Sequence, residues 1–197
     1  MSEGSFIVIE GIDGAGKTTV AKELTRRLNG LGIKSIYTYE PFYKFSADFI
    51  TAYWGDLDPI LQTLIMALDR YYHIKKEVIP YLNSGYVVIS DRYYYSSIAY
   101  QGAQGADINW ILSVNRYVLR PKLAIYLDVE PDVGLMRKKH SATRVKELES
   151  NLELIKRARE IYLELVRRGE LILVDAMRDL NSVLDEVFNL IIKYVKA

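Results

Sequence analysis

A glycine-rich segment directly after a short apolar run constrains this chain more than any other stretch. Residues 6–9 are all apolar, and residues 11–18 match the pattern G-x-x-x-x-G-K-[ST] at every required position. Glycines allow consecutive backbone N–H groups to turn toward one phosphate, and a helix that starts near Lys17 directs its positive dipole end to the same place. The segment therefore predicts a phosphate-binding loop.

Two side chains of this segment have separate expected tasks. Lys17 would reach the β- and γ-phosphates of ATP as a mobile positive charge, and Thr18 would join the coordination shell of Mg²⁺. The alternative is a glycine-rich turn without such a task. Apolar residues at helical spacing after the loop, at positions 20, 21, 24 and 28, favour the functional interpretation. The residues expected to bind ATP here are Gly11, Ile12, Asp13, Gly14, Ala15, Gly16, Lys17, Thr18 and Thr19.

The composition narrows the class of protein. The chain has 197 residues, 50% of them hydrophobic, which suits one α/β domain over residues 1–197 with a lid. Its net charge of +1 creates no overall field that would attract nucleic acid or an anionic membrane. The absence of cysteine excludes disulfides and thiolate metal sites. Since neither a leader nor an apolar run of about 18 residues is present, we expect a cytoplasmic protein.

Apolar runs alternate with helical patterns along the chain. Such alternation is typical of βαβ units, whose right-handed connections place the strands in one parallel sheet. The sequence therefore predicts an α/β fold with a five-stranded parallel sheet and helices on both faces. The predicted strands cover residues 6–10, 33–39, 86–90, 123–127 and 171–174. Residues 11–18, Glu40, Asp91 and Asp128 each follow a predicted strand, so they should meet at one edge of the sheet.

Two carboxylates at strand ends are candidates to hold Mg²⁺ near the phosphates, often through water. Asp91 is favoured because Arg92 adjoins it and offers a planar donor fork that suits a second phosphate. For Asp128, a helix cap or an ion pair with a neighbouring arginine is the favoured interpretation. The two histidines, His73 and His140, lack the spacing of a metal pair and are assigned surface or core roles.

Other basic residues lie on predicted helices. Arg70 falls in a long predicted helix over residues 61–82 that is expected to be apolar on its inner face, and a solvated helix charge is its simplest interpretation. A second basic group surrounds a predicted loop over residues 140–143, within a predicted lid over about residues 134–148. It could close over phosphates or be a solvated helix end, and the charges alone leave both open. This group consists of Arg137, Lys138, Lys139 and Arg144.

Several stretches together resemble the thymidylate kinases (dTMP kinases), a family of P-loop nucleoside-monophosphate kinases. The likeness covers nearly the whole chain and includes residues 6–19 and 121–129. Its most distinctive part is Asp91-Arg92-Tyr93, followed by residues 96–102. The resemblance implies a P-loop NTP hydrolase fold, ATP and Mg²⁺ as cofactors, and a homodimer formed through helices beside the acceptor site.

The resemblance also implies roles for individual side chains. Asp13 stands where the family holds the sugar 3′-hydroxyl, Arg92 would bind the acceptor monophosphate, and Arg70 would hydrogen-bond the pyrimidine. Ser97 would face the base edge, and Tyr100 would crowd the 2′-position to favour deoxyribose. The remaining residues expected near the acceptor are Glu40 and Pro41, whose turn often has a cis proline, Met66 and Gln101. Arg137 and Arg144 fall where the family's lid carries arginines, one near adenine and one near the phosphates.

The chain departs from the family pattern at four places. Tyr39 replaces the arginine of the turn before Pro41, so one acceptor-phosphate contact of the family is missing. Met66 replaces a phenylalanine that stacks on thymine, and methionine fixes the shape of a ring pocket less than an aromatic face does. The Gly-Gly-Thr that often follows Pro41 in the family is replaced by Phe42-Tyr43-Lys44. Because the phosphate loop carries Gly14-Ala15 and no arginine, the cation near the transferred group should come from the lid.

These observations predict transfer of the γ-phosphoryl group of MgATP to dTMP, giving ADP and dTDP for dTTP biosynthesis. The alternative is a kinase with broader pyrimidine nucleoside monophosphate acceptors such as dUMP. A P-loop switch whose nucleotide state drives a partner interaction is a different class; it would give residues 97–100 no base pocket to line. A nucleic-acid-binding ATPase is disfavoured because no basic stripe with interleaved aromatics is present.

Overall fold

The computed structural model describes residues 4–53, 56–139 and 152–195. Its strands form one sheet in the order β2-β3-β1-β4-β5, and every pairing is parallel. The strands are β1 (Ser5–Glu10), β2 (Ser35–Tyr39), β3 (Val87–Asp91), β4 (Leu123–Asp128) and β5 (Ile172–Asp175). The predicted five-stranded parallel sheet is confirmed.

Helices connect the strands and pack in two groups. α1 packs with α9 and against β1, β2 and β3, whereas α5 packs with α8, α3 and α6. The helices are α1 (Lys17–Gly30), α2 (Lys44–Tyr53), α3 (Pro59–His73), α4 (Ile79–Asn83), α5 (Tyr94–Ala103), α6 (Ile108–Val114), α7 (Pro131–Lys139), α8 (Leu152–Arg167) and α9 (Leu180–Val195). No helix among these residues is long and apolar enough to cross a membrane.

The central strands are buried because both of their faces are covered. Every residue of β1 and β3 is buried, which explains why these segments read as continuous apolar runs rather than alternating ones. The register places Ile7 between Ile89 of β3 and Leu123 of β4. Since all strands run the same way, their carboxyl ends lie at one edge, and the segments after β1, β2 and β3 converge there.

The long helical run between β2 and β3 is not uniform. α3 and α4 are joined by a π-helical turn, Ile74–Val78, so that the helical path continues to Asn83. Pro80 lies just after this turn; it has no N–H to donate, and its ring would collide with the carbonyl of Lys76 in a regular α-helix. The wider turn accommodates the proline without ending the helix.

The expected orientation of this run is wrong. α3 turns a polar face inward and leaves apolar side chains on its outer surface, where Leu68 is 69% exposed. Periodicity shows that a helix has two faces but does not say which one the rest of the chain will cover. The buried residues of the inner face are Gln62, Thr63, Ala67, Asp69, Arg70 and His73. The exposed apolar residues are Leu61, Leu64, Leu68 and Tyr72.

Candidate active site

The phosphate loop connects β1 to α1 and opens at the carboxyl edge of the sheet. Gly14 and Gly16 have φ values of 79° and 89°, a conformation that a residue with a Cβ rarely adopts. The Nζ of Lys17 donates to the carbonyl oxygen of Ile12 across the loop, at 2.9 Å. The loop therefore holds its lysine folded over itself, with the start of α1 beneath it.

The surroundings of Lys17 disfavour its protonated, positively charged form. Burial, and then the nearby positive charge of Arg92, lower the pKa of the Lys17 ammonium to about 8, although Asp91 and Asp13 act in the opposite direction. A phosphate group placed beside this lysine would favour its charged form. The site is therefore arranged to gain electrostatic stabilisation when an anion arrives.

Thr18 and Asp91 lie together beside the loop. The Oγ1 of Thr18 donates to Oδ2 of Asp91, while Oδ1 of Asp91 is buried and has no hydrogen-bond partner. An orphaned carboxylate oxygen beside a threonine hydroxyl offers the hard oxygen ligands that Mg²⁺ prefers. In the described ranges no group of three or more His, Cys, Asp or Glu could hold a metal. The two residues thus fit an ion that keeps waters and takes further oxygens from a nucleotide.

Arg92 occupies an aromatic and acidic cage at the end of β3. Its backbone adopts a φ of 73°, which is unusual for a residue other than glycine. The guanidinium forms an ion pair with Asp13, donates to Oγ of Ser96 at 3.1 Å and lies 5.4 Å from the ring centre of Tyr100. The Tyr100 hydroxyl in turn accepts the backbone N–H of Asp13 at 3.1 Å. The cage joins α5 to the phosphate loop.

These groups line one open cavity of about 540 Å³. Its lining combines residues of the phosphate loop with the Arg92 side chain, which is 20% exposed. The lining residues are Asp13, Gly14, Gly16, Lys17, Thr18, Thr19, Asp91, Arg92 and Arg137. The cavity therefore presents two separate devices for binding anionic oxygen.

Arg70 is not a solvated helix charge; that interpretation is wrong. Its side chain is completely buried, and it donates to Oε2 of Glu40 at 2.8 Å, to Oδ1 of Asn115 at 2.7 Å and to Oγ of Ser97 at 3.2 Å. A buried guanidinium needs such partners because an unpaired charge in the interior is costly. The arginine links α3 to β2, α5 and the end of α6.

The turn after β2 is held by the same helix. The Glu40–Pro41 peptide bond is cis, as the family turn often is. The Asp69 carboxylate accepts the backbone N–H groups of Phe42 and Tyr43 at 2.7 and 3.0 Å. His73 lies in the core, where its ring stacks on Phe42 with centroids 4.4 Å apart. Asp69 thus holds the turn after β2, and Arg70, the next residue of α3, pairs with Glu40 at the same turn.

Of the nine residues expected near the acceptor, Asp13 and Arg92 line this cavity, whereas seven do not: Glu40, Pro41, Met66, Arg70, Ser97, Tyr100 and Gln101. Gln101 is buried and donates to Oε1 of Gln62 at 3.1 Å, so its amide bridges α5 and α3. Met66 is half-buried on α3, one helical turn before Arg70. Neither lines the 540 Å³ cavity.

Asp128 has the packing role favoured for it. It accepts two hydrogen bonds from Arg159 of α8, at 2.9 and 3.0 Å, and one from the Tyr126 hydroxyl at 2.9 Å. Burial raises the pKa of Asp128, but Arg159 and Tyr126 more than offset this and the net pKa lies below its ordinary value. This carboxylate ties the end of β4 to α8.

The stem of the expected lid packs directly on the phosphate loop. α7 approaches so closely that a Cβ on Gly14 would collide with the carbonyl group of Gly134, and one on Gly134 would lie 2.5 Å from the Asp13 oxygen. Arg137 of α7 lines the cavity and donates to the carbonyl oxygen of Ala176 at 3.0 Å. Arg144 lies outside the described residues.

Sequence reasoning missed four residues that organise the site: Glu10, Ser96, Asn115 and Tyr162. Glu10 is buried directly before the phosphate loop, and its carboxylate bonds Ser96 of α5 and Tyr162 of α8. A charged residue that ends an otherwise apolar strand was the available signal. Its partners are 86 and 152 positions away, so no local pattern could have identified them.

A parallel sheet whose first strand leads through a phosphate loop into a helix is the architecture of P-loop nucleotide-binding proteins, and the second anion device in the cavity is what a phosphoryl acceptor requires. Within that class, the chain belongs to the thymidylate kinase family, whose model, described as thymidylate kinase, matches residues 9–187. This confirms the resemblance and makes the chain an enzyme of that family.

Individual relatives extend over almost the full chain. A protein named "Probable thymidylate kinase" from Staphylothermus marinus is 46% identical over 198 residues, covering 99% of each chain. Another of that name from Pyrobaculum calidifontis is 39% identical and covers 94% of this chain and 95% of its own. The "Thymidylate kinase" of Brachyspira hyodysenteriae is 35% identical over 96% and 94% of the two chains.

Proposed function

We propose that this protein transfers the γ-phosphoryl group of MgATP to a phosphate oxygen of dTMP, giving ADP and dTDP for dTTP biosynthesis. The observation that carries the proposal is the cavity in which the phosphate loop and the caged Arg92 lie together. One device suits the polyphosphate of a donor and the other a monophosphate acceptor. Membership of the thymidylate kinase family supports dTMP as the acceptor.

On the donor side, the loop N–H groups and Lys17 bind the β- and γ-phosphates. Thr18 and Asp91 would hold Mg²⁺, which when bound supplies neutralising charge at the phosphates. Lys17 leaves the carbonyl of Ile12 and turns to the phosphate oxygens, whose negative charge favours its protonated form. The loop has no arginine, and the space at Gly14 is filled by Gly134, so a side chain there has no room. The cation at the transferred group therefore comes from the lid, from Arg137 or from Arg144.

On the acceptor side, Arg92 binds the dTMP phosphate and aligns its oxygen for in-line attack. This oxygen is already anionic at neutral pH, so the reaction needs positioning and charge neutralisation rather than a strong general base. Asp13 holds the sugar 3′-hydroxyl, and Tyr100, stacked beside Arg92, excludes a 2′-hydroxyl. The closed lid excludes water, which would otherwise be phosphorylated in place of dTMP.

The base is read from α3 and α5. Arg70 and Ser97 form one hydrogen-bonded unit at the base edge, and Met66 packs on the ring one helical turn away. Glu40 and Pro41 support the acceptor from below, and Gln101 fixes α5 against α3. A methionine in place of an aromatic residue is the feature that would favour broader acceptors such as dUMP. The names of the relatives do not favour that alternative.

The experiment that tests the function is ADP production from MgATP with dTMP, dUMP, UMP, CMP, AMP, thymidine or no acceptor, run in parallel. We expect dTMP to accelerate it most. Equal rates with several pyrimidine monophosphates would establish the broader alternative. No acceleration by any acceptor would overturn the proposal and favour a nucleotide-dependent switch.

The proposal includes a homodimer formed through α3. Its outer surface exposes a row of apolar side chains at helical spacing, Leu61, Leu64, Leu68 and Tyr72, which a second copy of the chain would cover. The mass in solution should be twice the 22.7 kDa of one chain. Leu68→Glu should shift it to the monomer, whereas Leu31→Glu, which changes a leucine of similar exposure after α1, should not. A wild-type mass of 22.7 kDa would exclude the dimer.

Three further expectations stay predictions. They are one domain over residues 1–197 with a lid of about residues 134–148, a cytoplasmic location, and the absence of nucleic-acid and membrane partners. The described part of the lid is residues 134–139, which belong to α7, and residues 140–148 lie outside the described ranges.

A further inference from the structure

Glu10 is a fully buried carboxylate without a role in the reaction as proposed above. It ends β1 one residue before the phosphate loop. Burial raises the pKa of Glu10, while hydrogen bonds from Ser96, Tyr162 and Tyr93 and the charge of Arg92 act in the opposite direction. Burying a carboxylate is costly, and apolar residues of similar volume usually fill such positions equally well. The position of Glu10 therefore needs a reason beyond filling the core.

Four hydrogen bonds run toward the Glu10 oxygens. Oε1 accepts the backbone N–H groups of Tyr93 and Ser96 at 2.8 and 3.2 Å. Oε2 accepts the hydroxyls of Ser96 and Tyr162 at 2.7 and 2.8 Å. The first pair caps the start of α5, where Tyr93 supplies no side-chain cap. The second pair fixes the direction in which the Ser96 hydroxyl points.

The direction of that hydroxyl matters for Arg92. Ser96 has one hydroxyl proton, and because Glu10 takes it, the lone pairs of Oγ remain to accept from Arg92 Nη1 at 3.1 Å. The chain of donors thus runs from Arg92 through Ser96 to Glu10. The hydrogen bond from the Tyr93 N–H to Glu10 also holds the backbone next to Arg92. Arg92 itself has a φ of 73°, which is unfavourable without such support.

We infer that Glu10 is a positioning residue for Arg92, which it holds through Ser96 in the orientation that receives the acceptor phosphate. The inference rests on the proposed role of Arg92 at the dTMP phosphate. Glu10 does not touch the substrate in this account. It sets the hydrogen-bond polarity of Ser96 and the backbone geometry at the start of α5, and these two restraints aim the guanidinium into the cavity.

Glu10→Gln tests the polarity directly because it preserves the shape of the side chain. The glutamine amide would donate toward Ser96 Oγ and compete with Arg92 for its lone pairs, while the Ser96 proton would turn to the Tyr162 hydroxyl, which lies 3.0 Å away. Ser96→Ala removes the link and leaves Glu10 in place. In each variant we expect the KM for dTMP to rise about tenfold or more, with the KM for ATP changed less than about twofold.

Asp128→Asn is the matched control. Asp128 ends the neighbouring strand β4 and bonds an α8 side chain, as Glu10 does, but it has no link to Arg92. The Asp128→Asn substitution should lower the thermal midpoint and leave the KM for dTMP unchanged. If Glu10→Gln and Ser96→Ala likewise lower only the thermal midpoint, Glu10 is a core anchor and the inference is overturned. If Glu10→Gln does not fold, Ser96→Ala decides the question.

A double-mutant cycle shows whether the effect passes through Arg92. In an Arg92→Ala background, Ser96→Ala should not raise the KM for dTMP further; a second increase of the same size would overturn the inference. The wild-type assay separates this result from the proposed function. If dTMP does not accelerate ADP production, the function fails, whereas normal dTMP kinetics with unaffected Glu10 and Ser96 variants defeat this inference alone.

Discussion

The proposed donor and acceptor sites are built in different ways. The donor side is the contiguous segment of residues 11–18, completed by Asp91. The proposed acceptor site draws its residues from α3, from α5 and from the segments after β2 and β3, and it is held by ion pairs and hydrogen bonds that span up to 79 positions. A local motif can form its site with little help, whereas the assembled site depends on how well the surrounding core is ordered.

Lys17→Ala should have the largest effect on the donor side. It removes the cation at the β- and γ-phosphates, and we expect kcat/KM for ATP to fall about 10³-fold or more. The thermal midpoint should change little or rise, because burial disfavours the charged form of Lys17 and lowers its pKa in the folded protein. Steady-state kinetics and thermal unfolding measure the two quantities. Near-normal turnover would remove Lys17 from the proposed mechanism.

Glu40→Gln should lower the free energy of unfolding by disrupting the buried network beside the proposed acceptor site. It leaves the buried Arg70 without its anionic partner, and removing one member of a buried pair costs about 3–5 kcal/mol. Chemical denaturation measures the free energy of unfolding. The control, Glu23→Gln, breaks an ion pair with Arg26 on the surface of α1 and should have no measurable effect. Equal effects of the two changes would show that the Arg70 network contributes no more than a surface pair.

Gly134→Ala tests the contact between the lid stem and the phosphate loop. The new methyl group would lie 2.5 Å from the Asp13 carbonyl oxygen, so α7 or the loop must move. Because Arg137 is carried on α7, misplacement of this order should lower kcat about 10²-fold. Gly30→Ala is the control, because it adds a methyl group in open space and should retain activity. Gly169→Ala would be strained by its φ of 73° and is therefore unsuitable. A fully active Gly134→Ala would show that the close contact is not needed.

The pH dependence of ATP affinity should be a smaller effect with a definite sign. The pKa of Lys17 is lowered to about 8, so its positive charge is lost as the pH rises through that value, and ATP should bind more weakly above it. Between pH 8 and 10.5 the unfolded chain binds the proton that the folded chain has released, so the contribution of Lys17 to stability rises with pH.

Calorimetric titration of ATP across this pH range measures the loss of affinity. Lys17→Arg provides the comparison because a guanidinium stays charged throughout, and its affinity profile should be flat over the same range. A wild-type profile as flat as that of Lys17→Arg would contradict the lowered pKa.

The two sides of the site also differ in how far the sequence predicts them. Residues 11–18, the strand ends and the parallel sheet follow from local patterns, because spacing and apolar runs determine them directly. Arg70 was misassigned because a helix with one polar and one apolar face can bury either, and here the polar face turns inward. Glu10 was overlooked because its partners Ser96 and Tyr162 are brought to it only by the fold.

The measurement that tests this account most directly is the effect of Arg92→Ala on the two substrates separately. If the acceptor side is a distinct device centred on Arg92, kcat/KM for dTMP should fall about 10³-fold, while the dissociation constant of ATP changes less than about threefold. Near-normal dTMP kinetics, or an equal loss of ATP affinity, would contradict the division of the cavity into a donor and an acceptor side.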